Sequence, residues 1–275
     1  VKLIGIGDSV VDFYKDQGLM YPGGNALNAA VFAKRSGCEK ASYLGIIGRD
    51  EPGGHIIESL KREGLDIARI RTVDAPSGVA TVSLNAEGDR VFVASNKAKR
   101  AQSMLALKIN ADDLDYIAEY DVIHTSINSD LEHELAKLRE KAVSFDFSTR
   151  NRWDNDYLHQ VCPYLTYAFF SGSDMSRSEI DDLFDFVHKL GVRVVGVTRG
   201  ANPAVFSEGG KVTEQVPIPT DVVDTMGAGD SLIGAFLRHY HESRDMAYAL
   251  REATAFASAV CGYHGAFGYG KQAVL

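Results

Sequence analysis

The segment best equipped for chemistry is Asp224-Thr225-Met226-Gly227-Ala228-Gly229-Asp230-Ser231, followed by the apolar stretch Leu232 to Leu237. Gly227, Ala228 and Gly229 carry little or no side chain, so a phosphate could reach their backbone N–H groups. The spacing predicts a helix over 229–241, and the first turn of a helix offers amides without internal partners in a field that favours anions. Asp230 falls beside this pocket. A carboxylate is a poor neighbour for a phosphate that is only to be held, because like charges repel. It is better suited to taking the proton from a hydroxyl that attacks a phosphoryl group. A bare Gly-x-Gly-Asp would read first as a glycine-rich helix entry with an Asp near the dipole, and the eight-residue string moves the balance to phosphoryl transfer.

These residues need a scaffold, and the chain can build one. It has 275 residues, of which 45% are hydrophobic and 24% charged, enough for a large core and too apolar for wholesale disorder. The net charge of −8 disfavours nucleic acid and acidic membranes as partners. Cys38, Cys162 and Cys261 are far apart and odd in number, which reads as reduced thiols and not as a zinc site. The sequence from Val1 to Asp8 does not resemble a signal peptide, and no apolar run approaches the ~20 residues of a membrane span, so a cytoplasmic location is expected.

Strands are predicted at 2–7, 41–47, 121–125, 142–147, 166–170 and 193–198. Helices are predicted at 24–36, 54–63, 111–118, 129–141, 176–190, 229–241 and 245–262. Ala26, Ala29, Ala30 and Ala33 give the first helix a small face that can lie close to a sheet. Capping boxes are expected at Ser129 with Glu132 and at Ser176 with Glu179. Between 76 and 100 the pattern becomes a hairpin, 78–84 and 90–95, around Asn85-Ala86-Glu87-Gly88-Asp89. Residues 10–14 and 19–21 could add strands to it. Repeated βα units imply a mostly parallel sheet covered on both faces.

The string from Asp224 to Ser231 closely resembles the C-terminal signature of the ribokinase-like (PfkB) carbohydrate kinases. Gly23-Gly24-Asn25-Ala26-Leu27-Asn28-Ala29-Ala30 resembles their N-terminal signature, and the two occur in the family's order about 200 residues apart. The resemblance spans essentially the whole chain. It implies one domain over 1–275, an α/β three-layer αβα sandwich with a mostly parallel sheet and a small β lid built from about 9–21 and 76–100.

It also implies roles. Asp230 would be the catalytic base, with Gly227, Ala228 and Gly229 forming the anion hole. Asp8, Asp12, Gly23, Gly24 and Asn28 would line the sugar site; Asp8 and Asp12 could instead be turn or lid-surface residues. Thr198 and Gly200 would belong to the nucleotide-binding turn, although Thr198 could simply cap a strand. In Phe145-Asp146-Phe147-Ser148-Thr149-Arg150, where related kinases have Asp-x-Asn-x-Arg, Arg150 would reach the ATP phosphates unless it is a plain surface charge. Mg²⁺ would arrive with ATP. Asp174 is the candidate for holding it through water, because Ser171-Gly172-Ser173-Asp174 departs from the family's Asn-x-x-Glu. Asp224 matches a position that helps bind a monovalent cation such as K⁺ in several members.

Within the family, Tyr120-Asp121-Val122-Ile123-His124, the Asp146-Phe147-Ser148 variant with Trp153-Asp154, and Asp224-Thr225-Met226 are similar to the fructoselysine 6-kinase group. That implies phosphorylation of the 6-hydroxyl of a fructosamine, whose ammonium could face Asp12 or Glu87. Ribokinase-like, fructokinase-like or nucleoside specificity, and a non-catalytic sugar-binding homologue, are the alternatives. Pairing of two lids could make a homodimer.

Overall fold

The computed structural model describes residues 1–84 and 90–274. Its strands are β1 (Lys2–Ile6), β2 (Val10–Tyr14), β3 (Leu19–Gly23), β4 (Lys40–Leu44), β5 (Ile46–Gly48), β6 (Arg71–Val73), β7 (Gly78–Leu84), β8 (Arg90–Ser95), β9 (Val122–Ser126), β10 (Ala142–Thr149), β11 (Tyr167–Ser171), β12 (Val194–Thr198), β13 (Ala204–Glu208), β14 (Lys211–Gln215) and β15 (Lys271–Gln272). The α-helices are α1 (Asn25–Arg35), α2 (Glu51–Arg62), α3 (Ala101–Leu105), α4 (Ala111–Ile117), α5 (Asn155–Val161), α6 (Arg177–Lys189), α7 (Ala228–Ser243) and α8 (Met246–Val260).

The main sheet has the order β14-β13-β12-β11-β10-β9-β1-β4. The pairs from β4 through β12 are parallel, and β13 and β14 add an antiparallel edge that the sequence pattern did not suggest. The parallel strands are apolar on both faces, as a doubly covered sheet requires: Leu3, Ile4 and Ile6 in β1 and Val194, Val195 and Val197 in β12 are fully buried. Alternate side chains feed two cores. Leu3, Phe169 and Val194 pack with residues of α1, α7 and α8. Ile4, Ile6, Phe170 and Val195 pack with residues of α5 and α6 on the other face. The expected three-layer sandwich is therefore present.

The Ala face of α1 does what its spacing suggests. A side chain at Gly5 would run into the Ala26 carbonyl at 2.2 Å, and one at Gly234 into the Ala29 carbonyl at 2.6 Å. Glycine at those two positions lets α1 sit down on β1 and lets α7 lie against α1.

A second sheet has the order β15-β3-β2-β7-β8. It unites 10–23 with 78–95 as expected, although β2 and β7 run parallel. The hairpin turn at 85–89, Glu87 included, lies outside the described residues.

Three expectations need correction. The predicted strand 41–47 is two strands, since the chain leaves the main sheet at Gly45 and β5 pairs with β6 instead. The predicted helix 54–63 begins at Glu51, because Asp50 caps it by accepting from the Gly53 amide. The predicted helix 129–141 is only a 3₁₀ turn, Glu132–Lys137. Its capping box does not form: the Ser129 hydroxyl is bound to Asp8, and Glu132 accepts from the Tyr157 hydroxyl. The Ser176–Glu179 box of α6 does form.

Candidate active site

The site begins where β1 ends. Asp8 is buried, and four protein donors hold its carboxylate. Oδ2 accepts from the Asn25 amide at 2.7 Å, and Oδ1 accepts from the Ala26 amide at 3.2 Å and from the Ser126 and Ser129 hydroxyls, both at 2.9 Å. Asp8 thus caps α1 from outside the helix, where Gly24 offers no side chain to do so. Its partners are protein groups, and its effect is to hold α1 at a fixed height over the strand ends.

That placement aims two side chains from the first turn of α1 at Asp230. Asn28 Nδ2 donates to Asp230 Oδ2 at 2.7 Å, and Asn25 Nδ2 donates to Asp230 Oδ1 at 3.0 Å. Asn25 Nδ2 also donates to Asp146 Oδ2 at 2.8 Å. Asp146 reaches this point because β10 has a bulge after it: Ser148 takes φ of 59° and gives its amide to Asp146 Oδ1 at 2.8 Å. Asn28 Oδ1 is buried and makes no hydrogen bond within the described residues, which leaves an acceptor beside Asp230 for a ligand hydroxyl.

Three carboxylates, those of Asp8, Asp146 and Asp230, therefore share one buried corner. Burial first, and then the Asp146 charge, push the Asp230 carboxyl up to about 8; Asp8 adds to the rise while the Asn28 and Asn25 donors oppose it. Burial also pushes Asp146 up to about 6, with Asp8 adding and the Ser148 amide, Asn25 and Arg152 opposing. A carboxylate whose proton affinity has been raised toward neutrality is suited to general-base work.

Asp230 stands in the first turn of α7, whose N-terminus has no side-chain cap. Gly227 precedes the helix with φ of 74°. The Ala228 amide is turned back onto the Thr225 carbonyl at 3.2 Å, and the first intrahelical bond is Ser231 to Gly227 at 2.8 Å. The amides of Gly229 and Asp230 are then the first-turn donors with no partner in the helix. Gly229 is exposed, so this turn opens to solvent.

The other predicted residues fall into separate groups. Gly23 abuts the Asp12 carboxylate, and Asp12 is buried in β2 opposite Tyr21. Thr198 ends β12 directly beside Ser171, the end of β11, and Gly200 and the exposed Asp174 follow on the adjoining loops. These positions lie at the carboxyl ends of parallel strands, where doubly wound sheets bind ligands. Arg150 is exposed, stacks on Trp153 at 4.3 Å and donates to the Trp153 carbonyl at 2.9 Å. It stands outside the carboxylate corner.

Asp224 is buried and held by donors: Tyr14 Oη at 2.5 Å and the Gly265 amide at 2.9 Å on Oδ2, and the Met226 amide at 2.9 Å on Oδ1. These three donors leave acceptor capacity on the carboxylate, so its hydrogen bonds neither supply nor exclude a cation there. No cluster of three or more His, Cys, Asp or Glu side chains suited to a metal occurs among the described residues.

Sequence reasoning assigned no role to Asn25, Asn128, Asp146 or Tyr14. Asn25 and Asp146 stood inside motifs that were legible in the chain. Asn128, which donates from Nδ2 to Asn25 Oδ1 at 2.8 Å, and Tyr14 left no signal at all.

Comparison with known proteins bears on the family and the fold. A family model described as pfkB family carbohydrate kinase matches residues 3–268. The chain is 49% identical over 271 residues to fructosamine kinase FrlD of Bacillus subtilis strain 168, covering 98% of this chain and 94% of that protein. It is 32% identical over 264 residues to fructoselysine 6-kinase of Escherichia coli K12, covering 95% and 98%. Its fold is similar to that of Arabidopsis thaliana ribokinase complexed with ribose and ATP, with a TM-score of 0.82, 20% identity and coverage of 97% and 94%. With a family model spanning nearly its whole length and relatives of this identity, the chain belongs to the pfkB family of carbohydrate kinases.

Proposed function

We propose that this chain transfers the γ-phosphoryl group of ATP to the 6-hydroxyl of a fructosamine, with Asp230 as general base. The observation that carries the catalytic reading is a buried carboxylate of raised proton affinity in the same helical turn as unpartnered amides. The acceptor class follows the two relatives named for fructosamine and fructoselysine.

In the proposed reaction Asp230 takes the proton of the acceptor hydroxyl as that oxygen forms its bond to Pγ. The bond from Pγ to the β–γ bridging oxygen breaks, and its electron pair leaves with ADP. The first-turn amides of α7 face the charge on the transferring group, and the α7 dipole adds to their effect. Asn28 holds Asp230 through Nδ2 and presents Oδ1 to an acceptor hydroxyl. Thr198 and Gly200 hold the nucleotide, with Arg150 near its phosphates; Asp8 fixes α1, and Asp12, Gly23 and Gly24 border the acceptor. The second sheet serves as the lid that keeps water from the transferring group.

Mg²⁺ bound with the nucleotide supplies neutralisation of the β- and γ-phosphate charge. The residues present fit an ion held mainly by phosphate and water, with Asp174 as the one exposed carboxylate on the β11 loop. No monovalent cation is assigned to Asp224. A second copy of the chain is the partner for the lid edge: β8 is an outer strand exposing Val91 (44%), Phe92 (62%) and Val93 (53%), an apolar edge that pairing would cover.

The test is ATP turnover against fructoselysine, fructose, ribose and adenosine, with wild type and Asp230→Asn. Selective use of fructoselysine and a loss of about 10²–10⁴ in turnover in the variant are expected. Preference for adenosine would overturn the acceptor class, and an Asp230→Asn enzyme as fast as the parent would overturn the base.

A further inference from the structure

We propose that Asn25 and Asp146 are positioning residues for phosphoryl transfer: the Asn25 side-chain amide clamps the carboxylates of Asp146 and Asp230 together, fixing both the orientation of Asp230 and its basicity. The proposal rests on Asp230 being the base.

The clamp is directional. Asn128 Nδ2 donates to Asn25 Oδ1 at 2.8 Å, so that end of the Asn25 amide must be the oxygen. Its NH₂ group then points the other way, and its two hydrogens meet two acceptors, Asp146 Oδ2 at 2.8 Å and Asp230 Oδ1 at 3.0 Å. Asn128 is oriented in turn by Arg152, which donates from Nη2 to Asn128 Oδ1 at 2.8 Å. The chain Arg152–Asn128–Asn25 therefore ends on both carboxylates, and the Asp146 end is fixed by the Ser148 amide. Sharing one donor nitrogen holds the two acceptor oxygens within about 6 Å of each other.

A neutral amide can hold two carboxylates close without cancelling their repulsion, whereas a Lys or Arg in its place would neutralise them. The charged groups facing the pair are Asp8 from the β1 end, which raises both, and Arg152 from the turn after β10, which opposes the rise at Asp146. The facing side chains of α1, Asn25 and Asn28, are uncharged.

Because the base must be ionised to accept a proton, turnover falls as pH falls through the titration of Asp230. Asp146→Asn removes the like charge, so this acid limb moves to lower pH. A unit charge within about 6 Å at an effective dielectric of about 20–40 corresponds to a shift of about one to two pH units. Arg152 opposes the rise at Asp146 and not at Asp230, so Arg152→Gln should leave the Asp230 limb in place and serves as the control. Asn25→Ala releases Asp230 Oδ1 and lowers kcat about 10–100-fold, with the acceptor KM nearly unchanged.

The experiment is the pH profile of kcat at saturating MgATP and fructoselysine for these three variants. A limb moved to lower pH in Asp146→Asn, an unmoved limb in Arg152→Gln and a lowered kcat in Asn25→Ala together support the clamp. An acid limb in Asp146→Asn within about 0.2 unit of wild type, well below the shift expected from a unit charge, overturns it in a folded enzyme. If Asp146→Asn does not fold, a wild-type kcat for Asn25→Ala does the same. An inactive Asp230→Asn alongside unmoved limbs would leave the base in place and remove only the clamp.

Discussion

Two glycines at the start of α7, two residues apart, should respond to alanine in opposite ways. Gly227 has φ of 74°, and a Cβ there would lie 2.8 Å from Ala266 Cβ and 2.9 Å from its Cα. The left-handed conformation alone costs a side chain about 1–2 kcal/mol. The contact is with the backbone of a fully buried residue, which cannot swing aside, and overpacking of this kind adds about 1–3 kcal/mol. Gly227→Ala should therefore lose about 2–5 kcal/mol, a fall in Tm of roughly 5–15 °C for a chain of this size. The displaced turn should also lose an anion-hole donor, which costs about 10²–10³ in kcat. Gly229 meets nothing within 4 Å and is exposed. Alanine there is a better helix former by up to about 1 kcal/mol, so Tm should hold or rise. Its methyl would tilt toward the helix N-terminus, into the space a phosphate must enter, and kcat/KM for ATP should fall at least about tenfold. Differential scanning calorimetry and steady-state kinetics on the two variants check this. Equal Tm changes, or a Gly229→Ala enzyme with full kcat/KM for ATP, would refute the assignment of this turn.

Tyr14→Phe removes the β2 hydroxyl from buried Asp224; a hydrogen bond to a charged group contributes about 1.5–3 kcal/mol, so Tm should fall by roughly 3–10 °C. Asp224 already accepts three protein hydrogen bonds without a cation, so wild-type turnover is expected to be the same in Na⁺ and K⁺ at equal ionic strength, and strong activation by K⁺ would show that a cation shares this carboxylate. Phe92→Glu should halve the mass seen by sedimentation if β8 pairs two lids, and a wild type that sediments as a monomer at every concentration would exclude that contact.

What the sequence disclosed was whatever lies within one stretch of chain. The α7 turn is contiguous, so its small residues, missing donors and Asp230 could be read together. The small face of α1 was equally legible, because helical periodicity alone predicts its close packing. Ser129 shows where such reading fails. Its spacing to Glu132 satisfies the capping rule, but its hydroxyl serves Asp8, 121 residues away in sequence. A buried carboxylate at a strand end competes for that hydroxyl more strongly than a short helix entry does. Local patterns record which bonds a residue could make, and the tertiary fold decides between them. Asp146 was hidden for a related reason: only the bulge at Ser148 turns it toward Asn25.

The same competition explains the composition of the corner. Asp146 and Asp230 are held by asparagine amides and a backbone N–H, while the guanidinium of Arg152 makes its hydrogen bond to Asn128 and acts on Asp146 through its charge alone. A direct Arg or Lys partner would bind the pair more tightly, but it would also stabilise the ionised form and pull the proton affinity of Asp230 down. A base must want a proton, so the arrangement that most stabilises this corner is not the one that best performs the transfer. Asparagine resolves the conflict by supplying direction without charge. For that reason the physical test of Asn25 is a change to a cationic side chain: Asn25→Lys should leave Asp230 better anchored and displace its acid limb to lower pH, as the loss of the Asp146 charge does.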